Sequence, residues 1–293
     1  MRTRDFLYPR IALGMIAVSF GAIFARLAEE ASPYAISAWR LTLAAVVLTP
    51  LALFRTQRTM NRRTAIWSIM SGVALAAHFV LWISSLERTT VASSVLFVST
   101  HPIFVGLGSL LFLRERLSRS LVLGIGLAVA GGTLIGFGDV RFGGAALRGD
   151  LLALGGGLMA AVYFLIGRRV RRDVTLSEYV ATSYGTAAVL VLLLCLATRT
   201  PIVGYAPSTY AYLVLLAAVP QLIGHSTINW ALKRLSASRV SVIVLAEPIG
   251  STILAVPFFG EVPGGLNLVG AAIILAGIYL SLRSKEGPVG TEP

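Results

Sequence analysis

The sequence is poor in charged residues, cysteine and histidine. Charged residues make up 13% of its 293 positions, about half of the roughly 25% that is usual in soluble proteins. The single cysteine, Cys195, excludes a disulfide framework and a cysteine-based metal cluster within the chain. HExxH, GxSxG and Walker A motifs are absent. These absences argue against a soluble domain and ATP coupling, and they predict a protein that is not an enzyme and uses neither a metal nor another cofactor.

Long hydrophobic runs dominate what is present. Hydrophobic residues make up 56% of the sequence, and the mean hydropathy is +0.81. About 20 apolar residues are needed to cross a bilayer as a helix. Ten runs near this length are Ile11–Ala28, Pro33–Phe54, Ala65–Leu86, Thr89–Leu113, Leu121–Gly138, Leu151–Gly167, Tyr179–Thr198, Thr209–Leu232, Val240–Gly260 and Leu266–Leu282. We therefore predict an all-α membrane protein of ten transmembrane helices, followed by a flexible tail at 283–293.

The basic residues lie in short clusters between these runs. The net charge of +12 would suit a nucleic-acid partner, but such clusters are typical of loops that face an anionic membrane surface. Alternate loops carry 19 basic residues on one side of the membrane and 5 on the other, with Arg40 inside a run. The positive-inside rule therefore predicts a multi-pass protein of the cell inner membrane with both termini in the cytoplasm. Its predicted surroundings are the lipid bilayer and not nucleic acid.

Small residues recur at four-residue spacing in the fifth and sixth runs. Such rows let helix backbones approach closely inside a membrane, where lipid supplies no hydrophobic force between helices. We interpret them as packing surfaces within one chain, and they leave open whether the protein is a monomer or a homodimer. The rows are Gly124-Ala128-Gly132-Gly136, Gly156-Ala160 and Gly157-Ala161.

The two halves of the chain repeat each other. A shift of 146 residues aligns the fourth and fifth runs with the ninth and tenth. The informative matches are a proline, a glutamate and two glycines, because matches between apolar residues mean little in so hydrophobic a chain. They are Pro102/Pro248, Glu115/Glu261, Gly124/Gly270 and Gly131/Gly277.

The repeat predicts how the two halves are oriented. Each half holds five runs, an odd number, so the second half enters the membrane from the opposite side. Two inverted five-helix repeats, at 11–138 and 151–282, are predicted to enclose a central cavity. This is the architecture of many secondary transporters, which bind their substrate near the membrane midplane between the repeats.

The duplicated pattern resembles the tandem EamA repeat of the drug/metabolite transporter superfamily, and the resemblance covers the chain from about Ile11 to Leu282. It implies ten helices around a central cavity and the export of small metabolites such as amino acids. Within the superfamily the chain looks most like the YddG-type exporters of aromatic amino acids, which carry aromatic groups where His78, His101 and Tyr163 stand. It departs from the common pattern because His101 precedes the first proline, where Glu247 precedes the second.

Several polar side chains within the runs are candidates for the cavity, because polar groups in a membrane span usually face the protein interior. His101-Pro102 and Glu247-Pro248 hold equivalent positions, and each proline is predicted to kink its helix. Gln221, His225 and Asn229 lie on one helical face of the eighth run, and His78 and Trp82 share a face of the third. We predict a substrate site formed by His78, Trp82, His101, Tyr163, His225, Asn229 and Glu247.

Three further charges admit structural explanations. Arg40 lies well inside the second run, where it could hold a substrate carboxylate. We favour an outward-snorkelling side chain or a pairing with Glu29 or Glu30. Glu115 and Glu261 precede helix starts, where a carboxylate favours the positive end of the helix, and we interpret both as structural.

The sequence therefore predicts a secondary exporter or facilitator of small metabolites, including aromatic amino acids, that works by alternating access. Three alternatives remain open. One is an exporter of another small solute or a drug cation in the same superfamily. Another is an intramembrane enzyme that uses His225 and Glu247, and the third is a structural membrane subunit without a cavity.

Overall fold

The computed structural model describes residues 6–54, 59–89, 94, 97–137, 144–260 and 262–283, and every regular element in these ranges is helical. Eight helices are long and apolar enough to cross a membrane, whereas α4 and α5 fall outside that set. The chain is thus a multi-pass helical protein, and the count of ten spans stays a prediction. The helices are α1 Leu7–Leu27, α2 Pro33–Leu53, α3 Arg62–Ser85, α4 His101–Leu111, α5 Arg119–Phe137, α6 Gly144–Val170, α7 Leu176–Ala197, α8 Pro207–Ala231, α9 Ala237–Phe259 and α10 Gly265–Arg283.

The starts of α2 and α3 lie within three residues of the predicted positions, because short polar residues cap both helices. The Ser32 side chain accepts from the Ala35 amide at the start of α2, and Asn61 and Thr64 form a reciprocal capping box at the start of α3. These side chains satisfy amide groups that a helix start leaves without partners. The largest departure is α4, which was predicted to begin at Thr89 and begins at His101, although residues 90–93 and 95–96 lie outside the described ranges. The next is α6, which begins at Gly144, seven residues before the predicted boundary. Glu261 and most of the predicted tail lie outside the described residues.

Two spans are broken where the sequence predicts a proline kink. In α9 the helix is interrupted at Leu245, between segments Ala237–Val244 and Ala246–Phe259. Pro248 therefore lies in the first turn of the second segment instead of in the middle of a bent helix. Pro102 likewise occupies the first turn of α4. Proline suits these positions because a first-turn amide has no partner within the helix. Two helix starts consequently lie within the bundle, beside His101 and Glu247.

A third irregularity lies in α8, where Ala217–His225 forms a π-helical segment around Pro220. Wider π-helical turns inside α-helices occur frequently at functional sites. This segment ends at His225 and carries Gln221, which is fully buried. It therefore turns the polar face of α8 toward the centre of the bundle.

The helices of the bundle pack largely in pairs. The most extensive contacts join α5 to α10, α3 to α6, α2 to α7 and α1 to α8, and further contacts join α4 to α6 and α1 to α9. A Cβ atom built on Gly131 would lie 2.6 Å from the Gly270 carbonyl oxygen, and one on Gly124 would lie 2.7 Å from that of Gly277. Because the lower-numbered glycine of α5 meets the higher-numbered glycine of α10, the two helices are antiparallel. Gly124 and Ala128 of the row in α5 therefore pack against α10 of the same chain.

We expect Gly131→Ala to lower the free energy of unfolding by about 1–3 kcal/mol, the usual cost of overpacking. The added methyl group would force α5 away from the Gly270 backbone. Thermal unfolding in detergent would measure the change. Gly126→Ala is the matched control, because Gly126 lies on the exposed face of the same helix with nothing within 4 Å of the added carbon. Equal unfolding temperatures for the two variants would contradict the close α5–α10 contact.

Candidate functional site

A cavity of about 800 Å³ lies between the helices, within the range usual for small-molecule sites. The chain contains three histidines, and all of them, His78, His101 and His225, line this cavity. Trp82 and Glu247 line it too. Five of the seven side chains predicted for the substrate site therefore surround one space. Whether they bind a substrate stays a prediction.

The other two predicted residues lie behind the cavity wall. The Asn229 side-chain amide donates to the Tyr163 hydroxyl at 2.6 Å and to the Tyr184 hydroxyl at 3.1 Å. All three side chains are fully buried. The Tyr163 ring also stacks on Tyr179. Tyr163 and Asn229 thus belong to a closed polar cluster, and neither lines the cavity in this conformation.

The three histidines differ in the partners of their ring nitrogens. His101 is held by the carbonyl oxygens of Val98, at 3.0 Å, and Ser241, at 3.2 Å. His78 uses Nδ1 toward the Gly156 carbonyl, and its Nε2 has no hydrogen-bond partner in the part of the chain that the structure describes. Nδ1 of His225 is likewise without a partner among these residues. His101 therefore joins the two broken spans, whereas His78 and His225 retain nitrogens for other contacts.

These positions follow the internal repeat. His225 lies 147 residues after His78, and Glu247 lies 146 residues after His101. The two pairs therefore occupy corresponding places in the two halves. His78 and His225 place an imidazole in both halves, whereas the imidazole of His101 corresponds to the carboxylate of Glu247. This difference makes the cavity electrostatically asymmetric.

Arg40 provides the buried cation of this site, and the sequence analysis interpreted it wrongly. It neither snorkels outward nor pairs with Glu29 or Glu30. It is 2% exposed, its Nε donates to Gln221 at 2.9 Å, and its guanidinium lies 4.0 Å from the Phe79 ring centroid. Its two terminal nitrogens have no hydrogen-bond partner among the described residues, and Arg40 lines the cavity. The sequence already showed that Arg40 is the lone basic residue within a predicted span, and this could have identified it as a residue of the site.

Glu30 is hydrogen-bonded to the start of α8 and not to Arg40. It accepts hydrogen bonds from the Ala206 amide and the Thr209 hydroxyl, both at 2.9 Å. The hydrogen bond from the Ala206 amide, and after it the hydrogen bond from the Thr209 hydroxyl, lower the pKa of Glu30. The carboxylate therefore ties the α1–α2 connection to the start of α8 and is not available to Arg40.

Glu247 supplies the opposite charge. It stands in the first turn of the second segment of α9, and its side chain has no hydrogen-bond partner within the described part of the chain. One carboxylate oxygen lies near Gly21, the residue of α1 whose lack of a side chain leaves that space open. The described residues contain no ion pair between Arg40 and Glu247, although both line the same cavity. Two opposite charges therefore face one space without neutralising each other.

Aromatic and apolar groups form the rest of the wall. Phe79, Trp82 and Phe164 line the cavity together with aliphatic side chains. The Trp82 indole N–H is buried without a hydrogen-bond partner among the described residues. Buried donors in this state are costly, and a ligand or water that accepts from them removes the cost. The cavity can therefore hold a molecule with an apolar part and several polar atoms.

The cavity is open at one end of the bundle. Residues near the α1–α2, α3–α4 and α9–α10 connections line it, including Glu29, Glu87 and Asn267. We call this the open end. No group of three His, Cys, Asp or Glu side chains suited to a metal ion occurs within the described ranges.

The opposite end is sealed by charged side chains and backbone groups, and we call it the closed end. Arg168 donates to Glu115 at 2.8 Å and to the Leu232 carbonyl at 2.9 Å. Glu178 accepts from the amide of Thr59 at 3.0 Å and from the Thr175 hydroxyl at 2.7 Å. These bonds connect several loops, so within the described residues the cavity opens toward one end of the bundle only. Glu115 therefore has an ion-pair partner beyond the helix-start role predicted for it.

The comparison with protein families agrees with this architecture. The model of the EamA-like transporter family matches residues 8–137 and again 147–283. The chain belongs to the EamA-like transporter family. An EamA-like protein is a transporter, in line with the expectation that the chain is not an enzyme. The finer resemblance to YddG-type exporters of aromatic amino acids stays a prediction.

Curated relatives span nearly the same length. An uncharacterized transporter of Archaeoglobus fulgidus is 25% identical over 285 residues, covering 94% of this chain and 97% of the relative. A protein of Streptantibioticus cattleyicolor named "Probable terminal-alkyne amino-acid exporter" is 25% identical over 291 residues, covering 94% of each chain. A solved crystal structure superimposes with a TM-score of 0.79 at 24% identity, covering 94% of this EamA-like chain and 99% of the other. That likeness shows the fold.

Proposed function

We propose that this EamA-like protein is a secondary transporter that exports, or facilitates the movement of, amino acids, including aromatic ones. The observation that carries the proposal is the pair of opposite charges in one cavity. Arg40 and Glu247 both line it without an ion pair between them. A zwitterion satisfies both, because its carboxylate meets the guanidinium and its ammonium meets the carboxylate. A purely anionic or cationic solute leaves one buried charge without a partner, which is costly.

The walls favour an apolar or aromatic side chain on the substrate. Phe79 and Trp82 present ring faces near Arg40 and His78, and His78 stacks on Trp82 with centroids 6.0 Å apart. Aromatic pairs contribute beyond simple area burial. The relative from Streptantibioticus cattleyicolor is named an amino-acid exporter, which supports the same substrate class here.

Alternating access of two inverted repeats is the proposed mechanism. The antiparallel α5–α10 contact supports an inverted orientation of the two repeats, and so does the pattern of helix pairs. Exchanging the two halves makes α1 and α6 trade places, and likewise α3 and α8, and α4 and α9. The pair α3–α6 then corresponds to α8–α1, and the pair α4–α6 corresponds to α9–α1. Both resulting pairs are in contact. The two family matches at 8–137 and 147–283 support a division near the predicted repeats.

The proposed orientation follows from charge. The basic clusters lie at the closed end, and the positive-inside rule places that end in the cytoplasm together with both termini. The open end would then face away from the cytoplasm of the cell inner membrane. In this orientation the structure corresponds to the state that releases an exported substrate.

Flux into liposomes tests the proposal. Purified protein is reconstituted, the vesicles are loaded with unlabelled phenylalanine, and uptake of labelled phenylalanine by exchange is followed. We expect exchange above that of protein-free liposomes, with competition from other apolar amino acids. The matching amine without the carboxylate, phenethylamine, and the matching acid without the ammonium, phenylpropionate, should compete poorly. Folded protein that exchanges no amino acid contradicts the proposal.

A drug-cation exporter is the second candidate, favoured by Glu247 and the aromatic walls. Phenethylamine distinguishes the two, because a cation exporter would carry it better than phenylalanine. The buried guanidinium of Arg40 argues for the amino acid, since a cationic substrate would be repelled by it.

A further inference from the structure

A second cationic site lies at the closed end, away from the cavity. The Trp230 indole, near the end of α8, carries two guanidinium groups against its ring. The Arg10 guanidinium lies 4.2 Å from the ring centroid and that of Arg234 lies 3.9 Å from it. Arg234 also donates from Nη1 to the Trp230 carbonyl oxygen at 3.1 Å. The tryptophan therefore brings together two cations that come from opposite ends of the sequence.

Both cations lack an acidic partner in the described part of the chain. No ion pair joins Arg10 or Arg234 to any carboxylate within the described ranges, and both side chains are exposed. Arg10 also lies in the first turn of α1, beside the positive end of the helix, where a cation is unfavourable. Burial and then repulsion from Arg10 lower the pKa of Arg234. Like charges are thus held together where each opposes the other.

An anion relieves this repulsion, and the position indicates which anion. Arg10 is in the first turn of a membrane-spanning helix, and Arg234 follows the last turn of another, so both lie at the level where headgroups meet water. Tryptophan is enriched at this level of a membrane. Lys233 beside them adds a further exposed cation. Anionic phospholipids concentrate in the cytoplasmic leaflet and attract such basic clusters.

We propose that Arg10, Trp230 and Arg234 form a binding site for the phosphate headgroup of an anionic phospholipid. The two guanidinium groups share the phosphate oxygens, and the indole holds both in place by cation–π contact. The site joins the start of α1 to the end of α8, two helices that also line the cavity. It is independent of the proposed substrate, because no residue of the site lines the cavity.

Lipid titration of the full-length protein tests this site. The protein is purified in a neutral detergent, and native mass spectrometry and thermal unfolding are followed as phosphatidylglycerol or phosphatidylcholine is added. We expect phosphatidylglycerol to bind and raise the unfolding temperature more than phosphatidylcholine does. The double variant Arg10→Gln, Arg234→Gln should bind phosphatidylglycerol about thirtyfold more weakly, given the usual contribution of two basic residues at a membrane surface.

Two controls separate a specific site from general charge. Arg148→Gln with Arg199→Gln removes the same charge from exposed positions distant from the site and should leave lipid binding within about twofold of the wild type. Arg10→Lys with Arg234→Lys keeps the charge and should restore part of the binding. Equal loss in the Arg148/Arg199 variant, or no loss in the Arg10/Arg234 variant, overturns the proposal. Phosphate alone raising the unfolding temperature as much as the lipid would also overturn it, by showing a site for a free anion.

Discussion

Arg40→Gln is expected to reduce phenylalanine exchange about a hundredfold. Glutamine keeps a polar side chain near Gln221 but removes the guanidinium that faces the cavity. Losing one partner of a buried, hydrogen-bonded charge pair costs roughly 3 kcal/mol, and each 1.4 kcal/mol corresponds to about a tenfold change in affinity. Exchange by the wild type and the variant in the same liposomes, over a range of phenylalanine concentrations, measures the effect.

The same variant can be checked for folding through its substrate preference. Without the guanidinium, a cavity that keeps Glu247 should accept phenethylamine better than the wild type does, because the repelling cation is gone. A gain for the amine together with a loss for the amino acid identifies Arg40 as the carboxylate partner. Arg26→Gln is the matched control, since Arg26 is exposed at the open end, where solvent weakens its field. Unchanged phenylalanine exchange by Arg40→Gln would remove the guanidinium from substrate binding.

The length of the hydrophobic runs was sufficient to predict an all-helical, multi-pass membrane protein and the bounds of several of its long helices. The predicted Pro33–Phe54 and the observed Pro33–Leu53 differ by one residue, because a proline start and a run of apolar residues define the helix locally. The breaks before Pro102 and Pro248 were not predicted in the right form. A proline marks a disturbance in either case, and whether it bends a helix or begins a new segment depends on contacts between helices that are distant in sequence, such as the bond between His101 and the Ser241 carbonyl.

The candidate site shows the same division between local pattern and tertiary contact. Helical spacing placed His78 and Trp82 on one face, and both line the cavity. Spacing also placed Asn229 with His225, but Asn229 turns toward Tyr163 and Tyr184. Periodicity gives the face of a helix and not the neighbour that the face meets. Arg40 shows this most clearly, because its partner Gln221 lies 181 residues away and in a π-helical turn.

The closed polar cluster of Tyr163, Tyr184 and Asn229 indicates where a second conformation would differ from the present one. Tyr163, Tyr184 and Asn229 bond to one another behind the cavity wall in the present state. In an alternating-access cycle the closed end has to open, and the same side chains would then face the passage. The two predicted residues that do not line the cavity here therefore remain candidates for contact with substrate in the other state.

Glu247→Gln is the second decisive change. If the carboxylate binds the substrate ammonium, the variant should lose phenylalanine exchange by about a hundredfold, since one charge of the bound pair is again removed. Exchange of phenylpropionate, which lacks the ammonium, should not fall and should rise relative to phenylalanine. The matched control is Glu29→Gln, which makes the same substitution at the exposed open end and should reduce phenylalanine exchange by less than about fivefold.

The same variant separates two roles for this carboxylate. An ammonium partner is judged by substrate preference, whereas a proton carrier is judged by the response of flux to a pH gradient. If Glu247 carries a proton, Glu247→Gln abolishes gradient-driven accumulation but leaves phenylalanine exchange close to that of the wild type. If it binds the ammonium, exchange itself is lost at every pH. Retained exchange together with retained response to the gradient would exclude both roles, and the negative charge of the cavity would then have no part in transport.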